Sequence, residues 1–487
     1  MARTRLRLNN TVHAFIYEKI LDAFTQVFQT SLLGGEQVKR RSLAFRLYIE
    51  ILKGYISTLD TIERRPDLIR PLQERRLRKI LKTANKTQWW QSYFQEKRVS
   101  PQSIQSLDDL QKISPVTRLD LADVPRERLM AHPTAHNRLV WRHTSGSTTG
   151  TPFAWGLNKT SLYLNICARL LREFAYEGFP LEQSWGTDFL FQFITKGKDV
   201  SVFRWFFAGD FSLGNAEEDL EQSIRDIAEQ MERTGLCAVF TTANQLRLFL
   251  HGCTEYKVYP PVFLFLVTGE FLEEGLRTAV AEYFKSIILV NYGTRETGPL
   301  AIECKKNHRF YHIFSERSVI EITDQSGINV ESGTPGHVLV TLLDNTAMPL
   351  IRYDIGDIGI LHHTMQCDCQ NHSPLLEIQN REGDHIIFGD GHTESINRVL
   401  KTLGSRPFTS HVRRFQVRQE ALDQIHIVLE IKAMLPDMVI ARLKEAIARK
   451  YDHQFKEIEV TQVPLLYQTG AKFKVFIPLR SPVTATS

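Results

Sequence analysis

In the first sixty residues apolar side chains recur at every fourth position: Val12, Ile16, Ile20, Phe24 and Phe28. That spacing places them on one stripe of a helix, and residues 43–56 continue in the same style. From "RRPDLIRPLQERRLRKIL" the pattern stays helical to about Phe94. Between 139 and 300 it changes. Short apolar runs ("SWGTDFLFQFI", "LCAVFTT", "VFLFLVTG", "SIILVNYG") end in turn residues and alternate with helical stretches, which predicts α/β layering. "SVIEITD" and "GHVLVTLLD" read as sheet strands, with "QSGINVESGTPG" turning between them. After about 380 the order is strand, strand, helix, strand ("RFQVRQ", "QIHIVLEIKA", "DMVIARLKEAIARKY", "FKEIEVTQV"), a small α+β unit. The expected organisation is a helical extension over 1–60, a large α/β domain over 61–379 and a small α+β domain over 380–487. No internal repeat or low-complexity tract interrupts it.

Composition narrows the class. The 487 residues are 43% hydrophobic and 24% charged, as expected of a globular protein whose core forms without staples. A net charge of +5 is too small to argue for a nucleic-acid partner and serves an anionic small substrate equally well. Six cysteines in a chain this long are no disulfide framework. No run approaches the ~18 uninterrupted apolar residues of a spanning helix, so a cytoplasmic enzyme is expected. The extension over 1–60 is expected to dock on its own domain or to pair two chains as a homodimer.

Chemistry enters with "HTSGSTTGTPF" (143–153). Gly146 and Gly150 let the backbone turn sharply and aim N–H groups inward, and Thr144, Ser145, Ser147, Thr148 and Thr149 add hydroxyls, which suits a polyphosphate. No lysine follows, so the Walker pattern is absent. Four later segments supply what the loop lacks. In "VNYGTRETGPL" (290–300) Glu296 offers a carboxylate to the magnesium that accompanies ATP. In "PLIRYDIGDIG" (349–359) Asp354 and Asp357 lie near a strand end, where one carboxylate can accept both ribose hydroxyls. Arg381 opens the small domain, and Lys472 sits in the glycine-bearing turn "YQTGAKFKVFIP". That lysine is a mobile point charge able to neutralise a carboxylate and an α-phosphate together.

These segments, in this order, resemble the adenylate-forming ligases, and within them the phenylacetate–CoA ligase branch. The resemblance runs from about Leu77 to the end and includes "PVTRLDL" (115–121) and "TGEFL" (268–272), the latter similar to a Thr-Gly-Gly-Glu segment of that branch. It implies a large nucleotide-binding domain and a mobile C-terminal lid. It also implies two half-reactions: ATP and a carboxylic acid give acyl-AMP and pyrophosphate, then a thiol, usually coenzyme A, takes the acyl group. It places Gly269, Glu270, Asn291, Tyr292, Gly293, Thr294, Asp357 and Arg381 around the nucleotide with the hydroxyl loop, and Glu296 and Lys472 at the reacting phosphate. The chain departs from the pattern in three places. The phosphate loop is one residue longer. Arg295 stands where the family has a hydroxyl, either clamping phosphate or bridging to a neighbour. Gly383 stands at the hinge.

Cys304, His308 and His312 follow the Glu296 loop, and Cys367 and Cys369 form a C-x-C pair farther on. Three sulfurs and one imidazole match the Cys₃His class of closed zinc sites; three unrelated reduced cysteines are the alternative. Some relatives in the branch carry a similar set, which favours a structural Zn²⁺ on Cys304, His312, Cys367 and Cys369, with His308 the rival. The apolar and aromatic runs over 185–300 suggest an aryl or apolar acid, with plain core as the alternative and simpler reading of them. Two other functions fit the same residues. One is transfer of the acyl group to an amine, hydroxyl or carrier protein; the other is a degenerate nucleotide-binding paralogue.

Overall fold

The computed structural model describes residues 54, 56–132, 139–143, 154–158, 173, 217–234, 237–363, 367–369, 371–381, 384–405, 408–466 and 474–479. Most of the expected helical extension, the phosphate loop, the run "SWGTDFLFQFI" and Lys472 lie outside the described residues. The chain forms two compact units, each made of two segments: Met1–Phe203 with Tyr292–Ile378, and Arg204–Asn291 with Gln379–Ser487.

In the first unit a helical stretch over 56–63 precedes helices α1 (Pro66–Ala84) and α2 (Gln88–Glu96). Pro66 starts α1 where its missing N–H costs nothing. Thr87 caps α2 by accepting from the Trp90 N–H at 3.2 Å. Trp90 is buried, and its indole N–H donates to the Pro349 carbonyl at 3.1 Å. Two short helices follow, α3 (Arg118–Ala122), closed by a Thr117–Asp120 capping box, and α4 (Arg126–Leu129). Strands β1 (Leu139–His143) and β2 (Ala154–Asn158) pair antiparallel, His143 opposite Ala154. The apolar runs read as strands from the sequence do not include β2. Five residues with a central glycine are too short to show a period.

The second unit contributes β3 (Cys237–Thr241), β4 (Val262–Thr268) and the start of β5 (Ile287–Thr294), a parallel set. Their crossovers are helices α6 (Ala243–Tyr256) and α7 (Glu274–Phe284), preceded by α5 (Glu217–Thr234). Leu264, Phe265, Leu266 and Val267 are all wholly buried, the continuous apolar run of a strand covered on both faces. On α5 the buried positions Ile224, Ala228 and Met231 repeat at helical spacing.

The first unit's remaining strands are β6 (Gly298–Glu303), β7 (Phe310–Ile313), β8 (Ser318–Thr323), β9 (Pro335–Leu342), β10 (Tyr353–His362) and β11 (Leu375–Arg381). Their spatial order is β6-β7-β11-β10-β9-β8. The expected strands "SVIEITD" and "GHVLVTLLD" are β8 and β9, an antiparallel pair with Ser318 opposite Leu342. The segment "PVTRLDL" is laid along β10: the Val116 N–H donates to the Arg352 carbonyl and the Asp354 N–H to the Val116 carbonyl, each at 2.9 Å. Arg352 is left-handed (φ 46°) and buried. Its guanidinium bonds Glu321 and the carbonyls of Ile113 and Gly327, which outweighs the backbone strain.

The C-terminal segment adds the hairpin β12 (His385–Ile387) and β13 (Thr393–Ser395), helices α8 (Asn397–Leu403) and α9 (Phe408–His411), then β14 (Val412–Ala421), β15 (Gln424–Ile431), α10 (Asp437–Lys450), β16 (Glu457–Val463) and β17 (Phe476–Ile477). The sheet order is β16-β15-β14-β17, so the expected strand–strand–helix–strand is present with a short fourth strand added. Helix α6 packs on β14. Arg247 lies over the Phe415 ring at 5.2 Å and pairs with Glu273 at 2.9 Å, while Glu255 takes Arg413 at 2.7 Å and also Lys432.

Candidate active site and metal centre

The turn that carries Glu296 is fixed before its side chain does anything. The Thr294 N–H donates to Thr297 Oγ1 at 3.1 Å, and the Thr297 N–H donates back to Thr294 Oγ1 at 3.2 Å. Gly293 permits the closure, because a Cβ there would fall 2.2 Å from the Gly298 carbonyl oxygen. Arg317, buried, donates to the Thr297 carbonyl at 2.7 Å and to the Pro299 carbonyl, and is itself held by Asp344 at 2.8 Å. Arg295 points outward and is exposed, whereas Glu296 is buried at 7% exposure.

Asp357 is aimed by a different device. The β10–β9 register shifts between Asp354 and Ile358, a bulge in which Gly356 adopts φ +75°. Bulges redirect side chains out of the regular pleat. Inside it the Gly356 N–H donates to Asp354 Oδ1 at 2.8 Å, and Asp354 Oδ2 lies 3.3 Å from His337 Nδ1. Asp354 is therefore committed to the strand, and Asp357 is the carboxylate turned toward the hairpin.

The two loops exchange tyrosines. Tyr292, at the hairpin, donates to Asp357 Oδ2 at 2.6 Å; Tyr353, on β10, donates to Glu296 Oε1 at 3.4 Å. Glu296 and Asp357, read from motifs sixty residues apart, thus share one neighbourhood within the first unit. Sequence reasoning missed Tyr353, Thr297 and the Arg317–Asp344 pair. Tyr353 sits inside a quoted motif, but a tyrosine at a strand start reads as core.

In the second unit, Glu270 accepts from the Asn244 N–H at 2.8 Å and so caps the positive end of α6. Gly269 beside it is left-handed (φ +72°), with no atom within 4 Å of where a Cβ would stand. Asn291 is buried, and its carbonyl accepts from the Thr268 hydroxyl at 3.5 Å. Arg381 ends β11 and is exposed. The described residues that flank Lys472 are tied down. Leu466 donates its N–H to Glu430 and accepts from Arg414, at 2.9 and 2.7 Å, and the Lys474 carbonyl accepts from Gln416 at 2.9 Å.

Cys304, His312, Cys367 and Cys369 converge in the first unit, their ligand atoms all within 4.8 Å of one another. Cys304 Sγ is 3.1 Å from Cys367 Sγ, and Cys369 Sγ is 3.0 Å from His312 Nε2. His308 is exposed and is not among the four. Cys304 follows β6, His312 is in β7 opposite Ile302, and the two remaining cysteines precede β11. Burial pushes all three thiols above their ordinary value. A set of three soft sulfurs and one imidazole at this separation suits a tetrahedral divalent ion, which would hold the cysteines as thiolates and the histidine neutral.

No family model matches the chain. It is 24% identical over 455 residues to the phenylacetate-coenzyme A ligase of Thermus thermophilus, covering 84% of this chain and 95% of that enzyme. To the phenylacetate-coenzyme A ligase of Escherichia coli it is 27% identical over 393 residues, 77% of this chain and 85% of the other. The solved 2-hydroxyisobutyryl-CoA ligase, in its postadenylation state with an acyl-AMP, superposes with a TM-score of 0.65 at 15% identity, over 84% of this chain and 89% of that one.

Proposed function

We propose that this phenylacetate–CoA ligase-like chain of the adenylate-forming superfamily is an AMP-forming acid–thiol ligase. Its substrates would be ATP, an aryl or apolar carboxylic acid, and a thiol such as coenzyme A. The observation that carries the reading is the paired placement of Glu296 and Asp357, each held by a tyrosine from the other's loop. A carboxylate for ribose and a carboxylate for a metal-bound phosphate belong together in such a site.

In the first step a carboxylate oxygen attacks the α-phosphorus in line, forming the acyl–phosphate bond as the α–β bridging oxygen leaves with pyrophosphate. Two anions must meet, so the barrier is mainly electrostatic. Asp357 accepts the ribose hydroxyls and fixes the nucleoside. Thr144, Ser145, Gly146, Ser147, Thr148, Thr149 and Gly150 donate to the triphosphate. Gly269, Glu270 and the stretch Asn291, Tyr292, Gly293, Thr294 border the nucleotide; Arg295, exposed, meets phosphate, and Arg381 holds the ribose. Lys472 neutralises the charge shared by the acid and the α-phosphate. Glu296 would hold Mg²⁺, which supplies further charge neutralisation at the phosphates. In the second step the thiol sulfur attacks the acyl carbon, AMP leaves, and the thiol proton passes to water. Residues 380–487 are read as the lid whose rotation separates the two steps.

Cys304, His312, Cys367 and Cys369 would hold a structural Zn²⁺ with no position left for a reactive water. Residues 1–60 are read as a helical extension that docks locally or pairs two chains. Among the described residues no helix is long and apolar enough to cross a membrane, and the protein is read as cytoplasmic.

The test is ATP–pyrophosphate exchange across a panel of aryl, alkyl and hydroxy acids, followed by acceptor screening with the best one. Acid-dependent exchange and a CoA thioester product are expected, and Lys472→Ala should cripple exchange while ATP still binds. Exchange followed by transfer only to amines or carrier proteins would move the enzyme to the amide-synthetase class. No exchange with any acid would leave a nucleotide-binding paralogue.

A further inference from the structure

Glu296 is placed by groups both inside and outside the motif that contains it. Its side chain is reached by the hydroxyl of Tyr353, itself 2% exposed and held on β10. Its backbone turn is closed by Thr294 and Thr297, which exchange N–H and hydroxyl groups. Beneath the turn lies Arg317, one buried guanidinium that takes two carbonyls, those of Thr297 and Pro299. Asp344 fixes that guanidinium from β9's outgoing end at 2.8 Å, and the Arg317 carbonyl accepts in return from the Leu343 N–H at 2.8 Å. The carbonyls on the C-terminal side of Glu296 are therefore not free to rotate, and the carboxylate has one buried hydroxyl to lean on. A ligand carboxylate that must meet a hard cation at a set angle needs this kind of support. Such outer partners commonly govern metal affinity tenfold to a hundredfold.

We propose that Arg317 and Tyr353 are positioning residues for Glu296: Arg317 sets the turn and Tyr353 sets the carboxylate, so that the divalent ion accompanying ATP is bound at a usable angle. The inference rests on the reading of Glu296 as the carboxylate that meets Mg²⁺. Neither residue touches substrate or metal itself. Arg317→Lys keeps the charge beside Asp344 but cannot serve both carbonyls in one plane. Tyr353→Phe removes one hydroxyl and no packing.

The experiment is the Mg²⁺ dependence of ATP–pyrophosphate exchange in the full-length protein, at saturating ATP and acid, for wild type, Arg317→Lys, Tyr353→Phe, Glu296→Gln, and each of the first two combined with Glu296→Gln. Melting temperature is recorded beside it. Arg317→Lys and Tyr353→Phe are expected to raise the Mg²⁺ concentration for half-maximal exchange severalfold. Excess Mg²⁺ should restore most of the rate, and neither change should add to that of Glu296→Gln. Unchanged Mg²⁺ half-saturation in both variants, with Glu296→Gln raising it, overturns the inference and leaves the Mg²⁺ reading standing. Full additivity with Glu296→Gln also overturns it, because the two residues would then act elsewhere. If Glu296→Gln alone leaves Mg²⁺ half-saturation unmoved, the Mg²⁺ reading itself falls and takes the inference with it. Should Arg317→Lys fail to fold, Tyr353→Phe decides.

Discussion

The phenol of Tyr292 lies 2.6 Å from Asp357 Oδ2 and donates a hydrogen bond to it, joining the end of β5 to the bulge in β10. A hydrogen bond to an ionised carboxylate contributes about 1.5–3 kcal/mol, more than an ordinary neutral pair. The bond also sets the direction of the Asp357 carboxylate in advance. Tyr292→Phe is therefore expected to raise the ATP KM by roughly tenfold or more with a smaller change in kcat, since the interaction serves ground state and transition state alike. Asp357→Asn should do the same, and the double variant should be no worse than the poorer single one. Steady-state exchange kinetics at fixed Mg²⁺ check this; an unchanged ATP KM in Tyr292→Phe would detach the tyrosine from nucleotide binding.

How far the sequence reveals this arrangement depends on how local each signal is. "VFLFLVTG" shows β4 because a strand buried on both faces must be apolar throughout, whereas "RYDIGDIG" offers Asp354 and Asp357 alike, and the bulge at Gly356 that separates them appears only in the structure. The four metal-type ligands are visible as residue types in order, and the fold brings them together. Arg317 and Arg247 are not visible. Each reads as a solvated arginine, and each is buried because its partner arrives from elsewhere: Asp344 twenty-seven residues on, Glu273 twenty-six residues on. Polar residues paired at long range carry no periodicity, so a single sequence gives no reason to set them apart.

The Cys304, His312, Cys367 and Cys369 cluster ties the β6–β7 hairpin to the segment before β11. If an ion holds them, removing it leaves one buried thiol, two half-buried thiols and a buried histidine with nothing to converge on. A loss of a few kcal/mol is expected, a fall in Tm of roughly 5–10 °C at about 2–4 °C per kcal/mol. Cys304→Ser should reproduce the fall and reduce bound zinc measured by elemental analysis, whereas His308→Ala should change neither. Protein purified with less than a tenth of an equivalent of zinc, and melting at the same temperature after chelation, would remove the structural role.

Arg247 and Glu273 form an ion pair whose side chains are 2% and 7% exposed, and among the described residues neither Arg247 Nη1 nor Glu273 Oε2 has a hydrogen-bond partner. Desolvation of two such groups consumes most of their attraction, so the pair itself adds little, but removing one partner strands the other. Glu273→Gln or Arg247→Met is expected to destabilise by about 3–5 kcal/mol. The double replacement Arg247→Met with Glu273→Leu should recover most of that. Urea midpoints of the three variants decide; equal destabilisation in the single and double variants would mean that Arg247's contact with Phe415 matters more than its charge.

Glu255 gives a pH signature to the packing of α6 on β14. Burial raises its pKa, but the hydrogen bonds and charges of Lys432 and Arg413 outweigh burial, and the carboxyl is held below its ordinary value of about 4.5. A folded-state pKa below the unfolded one means that the unfolded chain binds the proton more readily. The stabilisation is then fully present above about 4.5 and is lost as pH falls through the lowered native value. Glu255→Gln should accordingly melt earlier than wild type at neutral pH. The gap should close as the buffer is taken down below the ordinary carboxylate range, because there the wild-type carboxyl is protonated too. Raised salt should shrink the neutral-pH gap only in part, since Arg413 is buried while Lys432 is exposed. Melting curves of the two proteins from pH 7 to pH 3 test this directly. A gap of constant size across that range would show that the charge on Glu255 contributes nothing and that the variant acts through shape.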